Sequence, residues 1–148
     1  MRFSSAAAPA WKVLLFSLFT IAFVGAATPQ GHASAGGQNA LRITERDFHI
    51  SPVKRTVSRG EVRFEVKNAG PESHELIVVR RQGRLPLRAD GLTVDEETLE
   101  SVKVGGLEPA QSGKTRELQL HLAPGHYQLF CNMSGHYLGG MHAELIVR

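Results

Sequence analysis

The chain has 148 residues, a length typical of one domain, and carries 17 Lys and Arg against 14 Asp and Glu. Two of the basic residues, Arg2 and Lys12, lie in an N-terminal segment that we expect to be removed. Without them 15 basic residues face 14 acidic ones, a net charge of about +1 that gives no support to a nucleic-acid partner.

The N-terminal segment has the pattern of a secretory signal peptide. Arg2 and Lys12 form a basic start, residues 13–25 are almost entirely apolar, and small residues follow from Ala26 onwards. The apolar run is shorter than the ~18 residues of a membrane-spanning helix, although an uncleaved anchor is the alternative. We therefore predict an exported protein, periplasmic or otherwise outside the cytoplasm, that meets a membrane only if this segment is retained.

The domain boundaries follow from composition. Residues 28–40 are rich in Gly, Ala, Ser and Gln, which is typical of a flexible leader. Cleavage is expected between residues 26 and 35. The prediction is thus a signal peptide, a leader and one folded domain, over residues 1–27, 28–40 and 41–148.

The folded part alternates short apolar–polar stretches with turns rich in Gly, Pro and Asn. The first stretch is interpreted as one strand with an irregularity near residues 45–47. This pattern predicts an all-β Greek-key sandwich or flattened barrel with one short helix. The predicted strands cover residues 41–50, 62–66, 73–79, 118–122, 126–131 and 141–147.

The predicted helix and the loop before it lie in the middle of the chain. Thr93 with Glu96 fits a capping box, so a helix is expected to about Lys103, ended by Gly105 and Gly106. Residues 80–91 contain four arginines and are predicted to form an exposed loop. A docking patch for an acidic redox partner is the alternative for this loop, because charge there would accelerate encounter.

The strongest chemical signal is near the C-terminus, where Cys131, His136 and Met141 recur at intervals of five. Soft sulfur ligands with imidazole suit copper, and two His, one Cys and a weak axial Met form a blue-copper electron-transfer site. A zinc site is possible from Cys and two His, but a thioether is a poor zinc ligand. A buried, inert cysteine is the other alternative for Cys131.

Such a site needs a second histidine from elsewhere in the chain. His74 begins a predicted strand directly after a turn, whereas strand alternation places His121 and His126 on faces turned away. His142 is an alternative axial ligand, although it would point to the opposite face from Met141. Met133 is interpreted as a packing residue.

The motif Cys131-x4-His136-x4-Met141 resembles the ligand loop of the cupredoxins, in particular of plastocyanin-like and sulfocyanin-like members. Ser73-His74-Glu75-Leu76 is similar to the setting of their remaining histidine ligand. The resemblance covers about residues 60–148 and implies one Cu(I)/Cu(II) ion bound by His74, Cys131, His136 and Met141. It also implies electron transfer through His136 on an exposed loop. Glu75 departs from the Asn or Ser that many members have there.

These observations predict a monomeric, exported type 1 copper protein that carries single electrons between redox protein partners. The alternative is a copper-binding protein for delivery, storage or resistance. An enzyme is not expected, because catalysis at copper usually needs an open coordination position or a second metal centre.

Overall fold

The computed structural model describes residues 39–81 and 83–148, so the predicted signal peptide and most of the predicted leader lie outside the described residues. None of the helices in these two ranges is long and apolar enough to cross a membrane. The elements are β1 (Ala40–Arg46), β2 (His49–Pro52), β3 (Thr56–Val57), β4 (Gly60–Asn68), β5 (His74–Arg80), α1 (Glu96–Val102), β6 (Lys103–Ala110), β7 (Thr115–Leu122), β8 (Gly125–Phe130) and β9 (His142–Val147).

The strands form two sheets, which confirms the predicted β-sandwich with one short helix. The four-stranded sheet has the order β2-β1-β4-β7, and the five-stranded sheet has the order β3-β9-β8-β5-β6. β1 pairs with β4 and β3 pairs with β9 in parallel, and the other pairs are antiparallel. Strands adjacent in sequence therefore often lie in different sheets, as a Greek-key sandwich requires.

The main core lies between the two sheets, and alternation along each strand supplies it. Val62, Phe64 and Val66 on β4 are fully buried, whereas Arg63 between them and Lys67 after them are exposed. The outer face of the five-stranded sheet is covered as well, by α1 and the loop before it. This second cluster explains why residues 76–79 are apolar on both faces, and it contains Ile77, Val79, Leu85, Val94, Leu99 and Phe130.

The first predicted strand is in fact a hairpin. Arg46 pairs with His49, so Asp47 and Phe48 alone form the turn between β1 and β2. Phe48 has a φ of 61°, in the left-handed region that bulky side chains rarely adopt. Strained backbone of this kind persists where the surrounding structure holds it, often beside a functional site.

The predicted end of the helix near Lys103 is confirmed, because α1 ends at Val102 with Lys103 as its C-cap, but the predicted start at Thr93 was wrong. Asp95 is the N-cap, where its side chain accepts a hydrogen bond of 2.9 Å from the backbone N–H of Thr98. The glycines expected to end the helix lie inside β6 instead. A Cβ on Gly105 would meet the Leu120 side chain at 2.6 Å, and one on Gly106 would meet the carbonyl oxygen of Leu76 at 2.7 Å. The absence of side chains lets β6 approach its neighbours closely.

We expect Gly106→Ala to lower the free energy of unfolding by about 1–3 kcal/mol, because the new methyl group would press on the backbone of β5. Gly105→Ala is the matched comparison and should cost less, since the neighbouring Leu120 side chain can rotate. Urea unfolding monitored by circular dichroism measures both. Equal losses in the two variants would show that the contact with the β5 backbone is not what makes an alanine at position 106 destabilising.

Candidate metal centre

Two chain segments meet at one end of the sandwich. His74 is the first residue of β5, Cys131 directly follows β8, and β5 and β8 are neighbours in the five-stranded sheet. Met141 directly precedes β9. A hydrogen bond of 3.2 Å from the backbone N–H of Cys131 to the carbonyl oxygen of Met141 closes the loop between them. Sheet pairing therefore brings residue 74 to a loop more than fifty positions later in the sequence.

Three of the predicted ligands converge at this end. One donor atom from each of His74, Cys131 and His136 lies within 4.8 Å of the others. The sulfur of Cys131 is 3.5 Å from Nδ1 of His136, and the two imidazole centroids are 5.2 Å apart. Met141 is fully buried in the main core together with Cys131. Three of the four sequence-predicted ligands thus converge, all of them buried, at this end of the sandwich.

His74 provides a test of whether a metal fits here. Its Nδ1 is buried and has no hydrogen-bond partner among the residues that the structure describes. A buried polar atom without a partner is costly. A metal ion bound among the sulfur and the two imidazoles would satisfy it, so the donor set fits a soft transition metal.

The outer nitrogen of each imidazole is bonded to a carboxylate. Nε2 of His74 lies 3.0 Å from Oδ1 of Asp47, and Nε2 of His136 lies 3.0 Å from Oε2 of Glu72. Metal-binding histidines commonly donate their second ring N–H to a carboxylate, which fixes the tautomer and the ring orientation. Both Nδ1 atoms are therefore left to face the interior of the site.

Burial sets the charge of the donors. It raises the pKa of the Cys131 thiol to about 11, and it lowers the pKa of His74 below its ordinary value. In the metal-free chain the thiol is consequently protonated at neutral pH. A metal that binds the sulfur displaces this proton, so binding is expected to weaken as the pH falls.

His136 is buried, with 7% of its surface exposed, although Ser134 and Leu138 of the loop that carries it are exposed. The ring of Phe48 covers it edge-on at a centroid distance of 5.5 Å, and Phe48 is itself 44% exposed. Gly139 makes room for this ring, because a Cβ there would lie 2.3 Å from it. Phe48 and Glu72 are thus side chains next to His136 that reach solvent.

The other histidines considered as ligands lie away from the site. His121 is exposed and bonds Glu61, and His126 is exposed on β8, as strand alternation predicted. His142 is exposed beside the Tyr137 ring on the outer face of β9. Met133 packs against the main core.

The Glu75 side chain holds the ligand loop through the backbone of Asn132. The backbone N–H of Asn132 donates to Oε1 of Glu75 at 3.0 Å, which joins the loop to β5. The Asn132 side chain instead bonds the backbone of Val94, at 2.6 Å to its N–H. Glu75, the residue after His74, therefore ties the ligand loop to the strand that carries His74.

A family model described as a cupredoxin-like domain matches residues 13–147. The chain belongs to the cupredoxin-like family. Membership of this family and the sulfur–imidazole donor set identify copper as the metal of this cupredoxin. A comparison with curated proteins found no match.

Solved structures of other cupredoxins share the fold. Auracyanin from Roseiflexus castenholzii aligns with a TM-score of 0.61 at 17% identity, over 75% of this chain and 98% of its own. Auracyanin A, a "blue" copper protein from Chloroflexus aurantiacus, gives 0.55 at 19% identity over 76% and 100%. Azurin from Methylomonas sp. strain J gives 0.53 at 16% identity over 74% and 98%.

Sequence reasoning missed Asp47, Phe48 and Glu72, which contact the ligand histidines from outside. Glu72 stands two residues before His74, but no spacing rule links it to His136, 64 positions later. Asp47 lies 27 positions before His74. The sequence signal available was the pair Asp47-Phe48 between two apolar stretches, a pattern that fits a hairpin turn.

Proposed function

We propose that this cupredoxin is an exported electron carrier with a single type 1 copper site formed by His74, Cys131, His136 and Met141. The first three side chains would hold the ion strongly, and the thioether of Met141 would bind it weakly. When bound, the copper ion supplies reversible one-electron transfer between Cu(I) and Cu(II). The chain itself excludes water and keeps the ligands in one arrangement.

One observation carries this proposal: the buried side chains of His74, Cys131 and His136 converge. Since Nε2 of each imidazole bonds a carboxylate, Nδ1 is the nitrogen left for the metal. A carrier that exchanges electrons quickly needs ligands that move little between the two oxidation states. The hydrogen bonds of both imidazoles and the closed loop provide this rigidity. Delivery of copper would be helped by an open site, whereas all four predicted ligands are buried here.

The proposal predicts an intense blue or green absorption band when the mature protein is loaded with Cu(II). Ascorbate should bleach the band, and reoxidation should restore it with the copper still bound. A weak or absent band would contradict a thiolate-bound type 1 site. Loss of copper to an acceptor on reduction would favour the delivery function instead.

Met141→Leu tests the weak axial ligand. We expect the visible band to persist, because the thiolate and both imidazoles remain, and the reduction potential to rise, because Cu(II) loses an electron donor. Leu preserves the volume of the fully buried side chain. Met133→Leu is the matched control, and an equal potential change in both variants would exclude Met141 as a ligand.

Export and redox protein partners belong to the same proposal. The predicted signal peptide supports export. The loop of residues 80–91 supports an acidic partner. Its Arg81 and Arg84 line the same open pocket as Tyr137 and Leu138 of the ligand loop, so positive charge lies next to the site. Arg81 also forms an ion pair with Glu144, which leaves less free positive charge for docking.

A further inference from the structure

Two carboxylates contact the site from outside, and different parts of the fold supply them. Asp47 comes from the turn of the four-stranded sheet, and Glu72 comes from the connection between β4 and β5. Each accepts from the outer nitrogen of one predicted ligand at 3.0 Å. The side chain of Asp47 is 28% exposed and that of Glu72 is 58% exposed, so Asp47 lies in the less polar surroundings.

Two backbone features, at Phe48 and at Gly70, hold Asp47 against His74. The neighbouring Phe48 adopts a φ of 61°, which turns the hairpin sharply. A Cβ on Gly70 would lie 2.7 Å from Oδ1 of Asp47 and 2.9 Å from Nε2 of His74, so only glycine leaves room for their hydrogen bond. A strained residue and an obligatory glycine around one contact indicate that the contact has a role.

Glu72 is placed by a buried asparagine. Nδ2 of Asn68 donates to the carbonyl oxygens of Glu72 and Ala110, at 2.7 and 2.8 Å, and its Oδ1 accepts from the N–H of Gly70 at 2.9 Å. These three bonds fix the connection that carries both Gly70 and Glu72. Asn68 thus supports the outer contacts of both imidazoles.

We propose that Asp47 and Glu72 are positioning residues that set the reduction potential of the copper site, an inference that rests on the proposed function. Each carboxylate holds its imidazole as the Nε2–H tautomer with Nδ1 directed inward. Each also makes the imidazole a stronger electron donor and adds a negative charge near the ion. Both effects stabilise Cu(II) over Cu(I), so the pair lowers the potential.

The charge and the hydrogen bond can be separated by substitution. Asp47→Asn and Glu72→Gln keep an acceptor oxygen but remove the charge. We expect Asp47→Asn to shift the Cu(II)/Cu(I) equilibrium about tenfold towards Cu(I), which is about 59 mV for one electron. Glu72→Gln should shift it by about threefold, because solvent screens its more exposed carboxylate.

Glu61→Gln is the matched control. Glu61 bonds Nδ1 of His121 at 2.9 Å on the exposed surface of the four-stranded sheet, so it forms a histidine–carboxylate pair outside the site. Its potential should equal that of the parent protein. Redox titration of the visible band measures all three variants. Unchanged potentials in Asp47→Asn and Glu72→Gln, with the blue band intact, would overturn the proposal and leave the proposed function standing.

The metal-free protein provides a second readout. In ¹⁵N NMR spectra of the imidazoles, His74 and His136 should be Nε2–H tautomers in the parent protein and in the Asn and Gln variants. Asp47→Ala and Glu72→Ala should each mix the tautomers of the histidine concerned. Retention of a single tautomer in both Ala variants would overturn the positioning role. This test holds even if the parent protein forms no blue band: the proposed function and the effect on the potential then fail, and the NMR result alone decides the positioning role.

Discussion

Cys131→Ser is expected to abolish the intense visible band and to weaken copper binding by more than about 100-fold. Residues that merely support a ligand typically change metal affinity by 10–100-fold, so loss of the ligand itself should exceed that range. The serine hydroxyl has nearly the volume of the thiol but does not ionise at neutral pH. Soft Cu(I) would therefore lose its best donor.

The measurement is a competitive titration of Cu(I) with a coloured chelator, together with the absorption spectrum of the Cu(II) form. Met133→Leu is the control, because Met133 lies two residues away and packs against the core. It should keep the band and the affinity. A Cys131→Ser protein that stays intensely coloured would show that the sulfur is not a ligand.

Arg116→Met is expected to lower the free energy of unfolding by about 3–5 kcal/mol at pH 7, because it leaves a buried charge without its partner. Glu45 is fully buried on β1, and the Arg116 guanidinium donates to its carboxylate. Burial already raises the pKa of Glu45 above its ordinary value, while Arg116 opposes that rise. Without Arg116 the effect of burial is no longer opposed, so the pKa of Glu45 should rise further.

The raised pKa of Glu45 determines how the free energy of unfolding of Arg116→Met depends on pH. An acid whose pKa is raised in the folded state binds its proton more tightly folded than unfolded, so stability falls as the pH rises above the pKa of the unfolded chain. The loss in Arg116→Met should therefore be largest at pH 7. It should shrink to about 1–2 kcal/mol near pH 4, where Glu45 is neutral and only the hydrogen bonds of Arg116 to Glu45 and to the Glu108 carbonyl are missing.

Urea unfolding of the metal-free protein at pH 4 and pH 7 tests this expectation. Arg63→Met is the matched control, because Arg63 pairs with Glu117 at 3.6 Å on the exposed surface and should change stability by less than about 1 kcal/mol. An equal loss at both pH values in Arg116→Met would instead assign the effect to packing of the arginine side chain.

The ligand loop could be predicted from sequence because its information is local. Cys131, His136 and Met141 lie within one short segment, and their spacing and chemistry together indicate the metal. Strand alternation was equally informative for His121 and His126, since a half-buried strand assigns each side chain to a face. These features depend on neighbours in the sequence, which a single chain shows directly.

The outer contacts could not be predicted, because they depend on packing between distant segments. Nothing near Asp47 or Glu72 indicates which histidine each will meet. β6 was missed for a related reason. Gly105 and Gly106 have low propensity for either helix or strand, and their place in the sheet is favoured only by the close approach of Leu76 and Leu120.

The hairpin turn at Asp47 belongs to one layer of the sandwich, whereas His74 belongs to the other. A small shear of one sheet against the other would therefore stretch the Asp47–His74 hydrogen bond without moving any of the predicted ligands. The electron affinity of the centre would then respond to the alignment of the layers. Substitutions deep in the interlayer core, such as Phe64→Leu, would be detectable as a change in potential even though no ligand or outer partner is altered.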